Sequence, residues 1–253
     1  MKEYDLRDYI SNESREPTGK VIQNFRDDFS DSIILSDQFL VILAITEARE
    51  AVQVEGYFES EEDLEKFAEF VNGFGVNCYF DLELEDGGST VDSISSMIGD
   101  EDAKKELKKF TESALKCNVF MDRGDSNFEE VKRIRELKEN GSEENYHRVF
   151  GEFLNYPEQD IKSFIFDQKP EWRKKVLRLL GLGEPPTITA GRAVKKYSDN
   201  LSMEEKRTVN CFTDHVIRDS GKSFQRAVEI AQKRRNVLKH YTDVEKLLDD
   251  VFY

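Results

Sequence analysis

Residues 52–85 read Val52-Gln53-Val54-Glu55-Gly56-Tyr57-Phe58-Glu59-Ser60-Glu61-Glu62-Asp63-Leu64-Glu65-Lys66-Phe67-Ala68-Glu69-Phe70-Val71-Asn72-Gly73-Phe74-Gly75-Val76-Asn77-Cys78-Tyr79-Phe80-Asp81-Leu82-Glu83-Leu84-Glu85. Two periods follow one another here. Val52, Val54, Gly56 and Phe58 alternate with Gln53, Glu55 and Tyr57, the two-residue period of a half-buried strand. Leu64, Phe67, Ala68, Val71 and Phe74 then recur at the 3.6-residue spacing of a helix with one apolar stripe. Ser60 is placed to accept from the backbone N–H three residues on, with Asp63 reaching back, so the helix starts there. Gly73 and Gly75 stop it. Cys78, Phe80, Leu82 and Leu84 return to strand alternation with Tyr79, Asp81, Glu83 and Glu85. The stretch predicts strand, helix, strand.

Upstream, Ser36 is read as the cap of a helix carrying Phe39, Leu40, Leu43, Ala44 and Ala48. Residues 1–28 are polar, and Pro17-Thr18-Gly19 is a turn signal, so that segment is expected to be loosely structured. Downstream, a helix is predicted over Glu101–Leu115 and a third strand over Cys117–Asp122. After Asp125 the apolar spacing is helical throughout. Helices are read over Phe128–Leu137, Glu143–Leu154, 158–165, 172–180, 223–241 and 244–251, the fourth with Trp172, Val176, Leu179 and Leu180 as its apolar face. Ser202-Met203-Glu204-Glu205 is a capping box, and Gly181-Leu182-Gly183-Glu184-Pro185-Pro186 is the strongest break. The reading is an α+β protein: a small α/β layer with about three short strands in the N-terminal half, and a helical C-terminal half. The expected domains are 29–125 and 126–253, the second broken near 181–191.

The chain has 253 residues, 37 basic and 52 acidic, for a net charge of −15. The charge is split: residues 1–168 carry 19 basic and 40 acidic side chains, and residues 169–253 carry 18 and 12. An acidic total opposes non-specific nucleic-acid binding by the chain as a whole. It also resembles the acidic surfaces of proteins from salt-loving archaea, although 21 lysines exceed what the most extreme of those carry. The longest apolar run, Phe39–Ile45, is too short to span a bilayer. The first eight residues lack the pattern of a signal or transit peptide. A cytoplasmic protein without a membrane partner is expected. Cys78, Cys117 and Cys211 are scattered among apolar neighbours, as neither a disulfide framework nor a zinc site is. Cys78 and Cys117 are expected buried and inert in adjacent strands.

The segment His147-Arg148-Val149-Phe150-Gly151-Glu152-Phe153-Leu154-Asn155-Tyr156-Pro157-Glu158-Gln159-Asp160-Ile161-Lys162-Ser163-Phe164 resembles a motif of an uncharacterised archaeal protein family. That motif reads roughly Gly-x-x-Leu-Gly-Tyr-Pro-x-Cys-Cys-x-x-x-Phe. Gln159-Asp160 replaces its cysteine pair, and Asn155 replaces its glycine before Tyr-Pro. The resemblance covers about a fifth of the chain. It implies an archaeal origin and no reaction, and the missing cysteines remove any thiol or metal chemistry they would support.

Four constellations bear on chemistry. Asp81, Glu83 and Glu85 lie at strand spacing, with carboxylates about 7 Å apart; Asp81 and Glu83 are candidate ligands for a hard cation. The competing reading is a solvated strand face. His147 stands beside the Gly151–Pro157 corner as a candidate proton carrier, against a corner-packing role. No phosphate-binding glycine loop occurs, and Gly181-x-Gly183 runs into two prolines. Basic clusters in the C-terminal half make Lys195, Lys196, Lys233, Arg234 and Arg235 candidate nucleic-acid contacts. Their alternatives are solvation of helices, snorkelling or pairing with acidic side chains. No nucleophile, acid–base pair or cofactor loop stands out, and no cofactor is expected. The function expected is that of a non-catalytic binding or regulatory protein with an unspecified protein partner. A nucleic-acid module is the alternative, nucleic acid not being favoured as partner, and a metal-dependent enzyme the weaker one.

Overall fold

The computed structural model describes residues 4–9, 15–29, 32–33, 35–83, 114–124 and 128–252. The chain divides into two compact units, residues 1–131 and 132–253. It is an α+β protein, with a small antiparallel sheet in the first unit and helices dominating the second.

Among the described residues the sheet has four strands: β1 (Tyr4–Tyr9), β2 (Ala51–Phe58), β3 (Asn77–Glu83) and β4 (Leu115–Asp122), in the order β1-β3-β4-β2, every neighbouring pair antiparallel. Helices α1 (Gly19–Asp28), α2 (Leu35–Ile45) and α3 (Glu61–Asn72) accompany it. β2 and β3 therefore run parallel with β4 between them, a split strand–helix–strand unit joined by α3. The predicted start of α3 is present: Ser60 Oγ accepts from Asp63 N at 3.2 Å and donates to the Asp63 carboxylate at 2.7 Å. Leu64, Phe67, Ala68, Val71 and Phe74 are buried as their spacing requires.

The segment 1–28 departs from its loose reading by supplying both β1 and α1. Thr18 is a helix cap rather than part of a turn, its Oγ1 accepting from Val21 N at 3.3 Å. What polarity conceals is the spacing of Ile22, Phe25 and Phe29, all buried. Phe67 lies at the centre of the resulting ring cluster. Its ring centroid is 5.3 Å from Phe29, 5.5 Å from Phe58, 6.2 Å from Phe80 and 6.3 Å from Phe25. Edge-to-face and tilted pairs at these separations add to the apolar burial.

The second sheet face is also covered. Tyr79 and Asp81, expected on a solvated face, are buried, and Tyr79 stacks on Phe128 at 6.2 Å. Cys78 and Cys117 are fully buried on the adjacent strands β3 and β4, neither in a disulfide, and burial pushes the Cys78 thiol far up. The helix read over Glu101–Leu115 lies, apart from its last two residues, outside the described residues.

The remaining helices are α4 (Phe128–Asn140), α5 (Glu143–Phe153), α6 (Glu158–Asp167), α7 (Glu171–Leu179), α8 (Ala190–Tyr197), α9 (Met203–Phe212), α10 (Gly221–Leu238) and α11 (Val244–Phe252). α9 opens with the expected capping box, Ser202 N and Oγ bonding Glu205 Oε2 while Glu205 N bonds Ser202 Oγ. A two-residue ribbon, β5 (Thr187–Ile188) with β6 (Ile217–Arg218), occupies part of the stretch read as a break. Strands this short carry no readable alternation. The apolar face of α7 is not in the core: Trp172, Val176, Leu179 and Leu180 are exposed.

Replacing Phe67 with Ala is expected to cost about 3–5 kcal/mol, the usual penalty for truncating a buried ring. Urea unfolding checks it; a loss below ~1 kcal/mol contradicts the central place assigned to Phe67.

Candidate functional site

The site begins with how α5 ends. Ser142 caps its start, accepting from Asn145 N at 3.3 Å. At the other end Asn155 takes a left-handed conformation, φ 56°. Asn155 N donates to the Glu152 carbonyl and Tyr156 N to the Gly151 carbonyl, both at 2.9 Å. This pair of bonds is a Schellman closure, which requires a residue tolerant of positive φ at the position of Asn155. Glycine and asparagine are such residues. The chain then turns through Pro157 into α6, which returns against α5. A Cβ on Gly151 would lie 2.8 Å from Ile161 Cγ1, so the glycine permits the close approach.

Between α5, α6 and the loop after α9 lies a cavity of about 300 Å³. Tyr146, His147 and Phe150 line it from α5, Ile161 and Phe164 from α6, Tyr156 from the corner, and His215 and Val216 from the loop. Tyr146 and Phe150, one turn apart, stack at 5.6 Å and 8°. His147 meets the Phe164 ring edge-on at 4.9 Å, with Nε2 3.7 Å from Glu143. The proposed proton carrier thus stands in the cavity wall.

The polar end of the cavity centres on His215, which no motif marked; Asp214-His215 in the short loop after a capped helix is its only sequence signal. The side chain is 6% exposed. Nε2 lies 3.4 Å from Asp160 Oδ2 and Nδ1 lies 3.4 Å from Asp214 Oδ1. Tyr156 stacks on the imidazole at 4.6 Å. Asp160 accepts from Arg218 N at 2.9 Å on β6. Asp214 accepts from Arg234 at 3.1 Å, and the same guanidinium nitrogen donates to the Phe212 carbonyl at 2.7 Å. Burial brings Arg234 down to about 10, with Tyr156 opposing the change, so it stays cationic at neutral pH. The Arg234 guanidinium and one oxygen each of Asp160 and Asp214 are hydrogen-bonded, whereas His215 Nε2 approaches Asp160 without hydrogen-bond geometry.

The nucleic-acid candidates are not gathered into one free surface. Lys196 binds both oxygens of Asp219, at 2.8 and 2.7 Å. Arg235 bridges Glu204 and Glu245. Arg234 is buried, as above. Lys195 and Lys233 are exposed and lie within 4.0 Å of no acidic side chain among the described residues. Phosphate contact by the other three would have to displace a carboxylate from each. Asp81 is buried on β3, and the Glu83 side chain lies outside the described residues, as does Glu85. Among the described residues no three His, Cys, Asp or Glu side chains gather as a metal site, and no helix is long and apolar enough to cross a membrane.

No family model, no curated protein and no solved structure matches the chain.

Asn155→Val is expected to lower stability by about 1–2 kcal/mol, the cost of forcing a β-branched residue into the left-handed region, while Asn155→Gly leaves it nearly unchanged. Urea midpoints of the two variants check this.

Hydrogen bonds from Lys196 and Tyr197 hold the Asp219 carboxyl below the usual carboxylate range. Since the folded value is the depressed one, its stabilisation is present above about pH 4 and is lost as pH falls through that depressed value. Asp219→Asn should therefore lower the melting temperature at pH 7, with the gap from wild type shrinking as the pH falls below about 4.

Proposed function

We propose that the chain is a non-catalytic binding protein whose C-terminal unit holds a small, flat, largely apolar molecule. The observation that carries this reading is the cavity walled by the rings of Tyr146, Phe150, Tyr156, Phe164, His147 and His215. At about 300 Å³ it falls at the small end of ligand sites, with room for a one- or two-ring molecule. Stacked and edge-on rings suit a planar guest. The Asp160 carboxylate at the polar end can accept a hydrogen bond from the guest, which would fix its orientation.

Binding rather than catalysis is favoured by how His215 is held. Both ring nitrogens are turned to carboxylates, so neither is directed at a guest in the manner of a general base. The residues lining the cavity include no serine, cysteine or lysine to act as a nucleophile.

Saturation-transfer NMR with indole, naphthol and cyclohexanol as a graded set tests the reading. The aromatic probes should bind saturably and the saturated ring more weakly. Phe164→Ala and Tyr156→Ala should each weaken the best probe at least about tenfold, the loss expected for removing an aromatic wall of the site. Equal binding by wild type and both variants would show that the cavity is not the ligand site.

A further inference from the structure

Helix α7 is amphipathic in the reverse sense to a core helix. Its inner side is partly polar. Lys174 donates to the Asp167 carbonyl at 3.3 Å and pairs with Glu171, and the Arg178 guanidinium lies 5.4 Å from the centre of the Phe166 ring. Leu177 is half-buried beside them. The opposite side carries Trp172, Val176 and Leu179 at i, i+4 and i+7, with Leu180 adjoining. Their exposures are 68%, 47%, 87% and 65%. Beyond the left-handed turn at Gly181, Leu182 is 65% exposed as well. A row of five large apolar side chains on a protein surface marks an interaction site.

The flanks decide what covers it. At 100° per residue, Arg173 and Lys175 fall on the two edges of the apolar row, and both are exposed. Residues 169–182 hold five basic side chains against one acidic, in a chain whose net charge is −15, and of the five Lys169 and Lys174 pair with Glu144 and Glu171. A second copy of the same helix would bring like-charged edges together. The row is convex, every residue of α7 being at least partly exposed, and it needs a yielding apolar phase bordered by negative charge. An anionic lipid surface has that profile: acyl chains take the leucines, the Trp ring sits at the headgroup level, and cations snorkel to the phosphates. The acidic remainder of the chain does not forbid approach, because beyond about 8 Å charges are largely screened at physiological salt.

We infer that α7 is an interfacial helix that seats the C-terminal unit on an anionic lipid surface. A search for bilayer-spanning segments does not reveal such a helix, since nine residues with cations on both edges lie in an interface rather than cross it. This inference is independent of the cavity's ligand.

Trp172 is the chain's single tryptophan, so the emission of the intact protein reports on α7 alone. Vesicles of equal parts phosphatidylcholine and phosphatidylglycerol should shift that emission to the blue, and brominated lipid should quench it. Pure phosphatidylcholine should bind at least about tenfold more weakly, and added salt should weaken anionic binding. Arg173→Glu with Lys175→Glu should raise the lipid needed for half-binding at least about tenfold. Leu179→Ser with Leu180→Ser should abolish the shift, and both altered side chains are exposed, so the melting temperature should hold. The inference is overturned if anionic vesicles give no shift, or if both double variants bind as wild type does. A shift that grows with protein concentration without lipid would overturn it in favour of a second copy. A shift with polyglutamate but not with lipid would do so in favour of an acidic protein partner.

Discussion

The C-terminal unit depends on one hydrogen bond, from Tyr156 N–H to the Gly151 carbonyl. That bond and its companion at Asn155 end α5 by reversing the chain instead of letting it fray. Three consequences follow from the same corner. Tyr156 is delivered onto the His215 ring. Pro157, which has no N–H to give, starts α6 without leaving a donor unsatisfied. Asp160, one turn further, reaches β6 and the imidazole at once. A side chain at position 151 would separate the two helices, and the cavity between them would lose its shape.

Charge in this unit is organised locally rather than as a field. Lys196 with Asp219, Arg207 with Glu245 and Asp249, Arg235 with Glu204 and Glu245, and Lys169 with Glu144 each join nearby elements of one unit. Exposed pairs of this kind contribute little stability individually, about 0–1 kcal/mol. Their consequence is geometric: they occupy cations that a count of lysines and arginines would treat as free. Arg173 and Lys175 on α7 are exposed beside an exposed apolar row, which is why that helix rather than the long basic α10 stands out as a contact surface.

The first unit rests on a different constraint. Rings from α1, β2, α3 and β3 meet around Phe67, so the sheet is held by contacts that span the chain from Phe25 to Phe80. The other face, with Gln53 bonded to Asn118 and Lys116 paired with Glu55 across β2 and β4, is polar yet covered in part. That arrangement explains why period-two reasoning placed Tyr79 and Asp81 in solvent: alternation assigns residues to two faces but does not say what lies over either.

Most elements could be read from the chain because their causes are local. Ser60 with Asp63 and Ser202 with Glu205 satisfy backbone donors three residues away, and the stripe Leu64–Phe74 turns one face inward whatever it meets. The α+β class and the burial of Cys78 and Cys117 follow from such spacing. Tertiary structure alone decided the rest. β1 and α1 come from a segment whose polarity masked Ile22, Phe25 and Phe29, since three apolar residues among many polar ones gain their meaning only from the Phe67 cluster. His215 became the polar end of a cavity because Asp160 lies 55 residues away in sequence and reaches it through a corner. The apolar face of α7 has the periodicity of a core helix, and periodicity reports that a face is apolar but not whether the molecule supplies its cover.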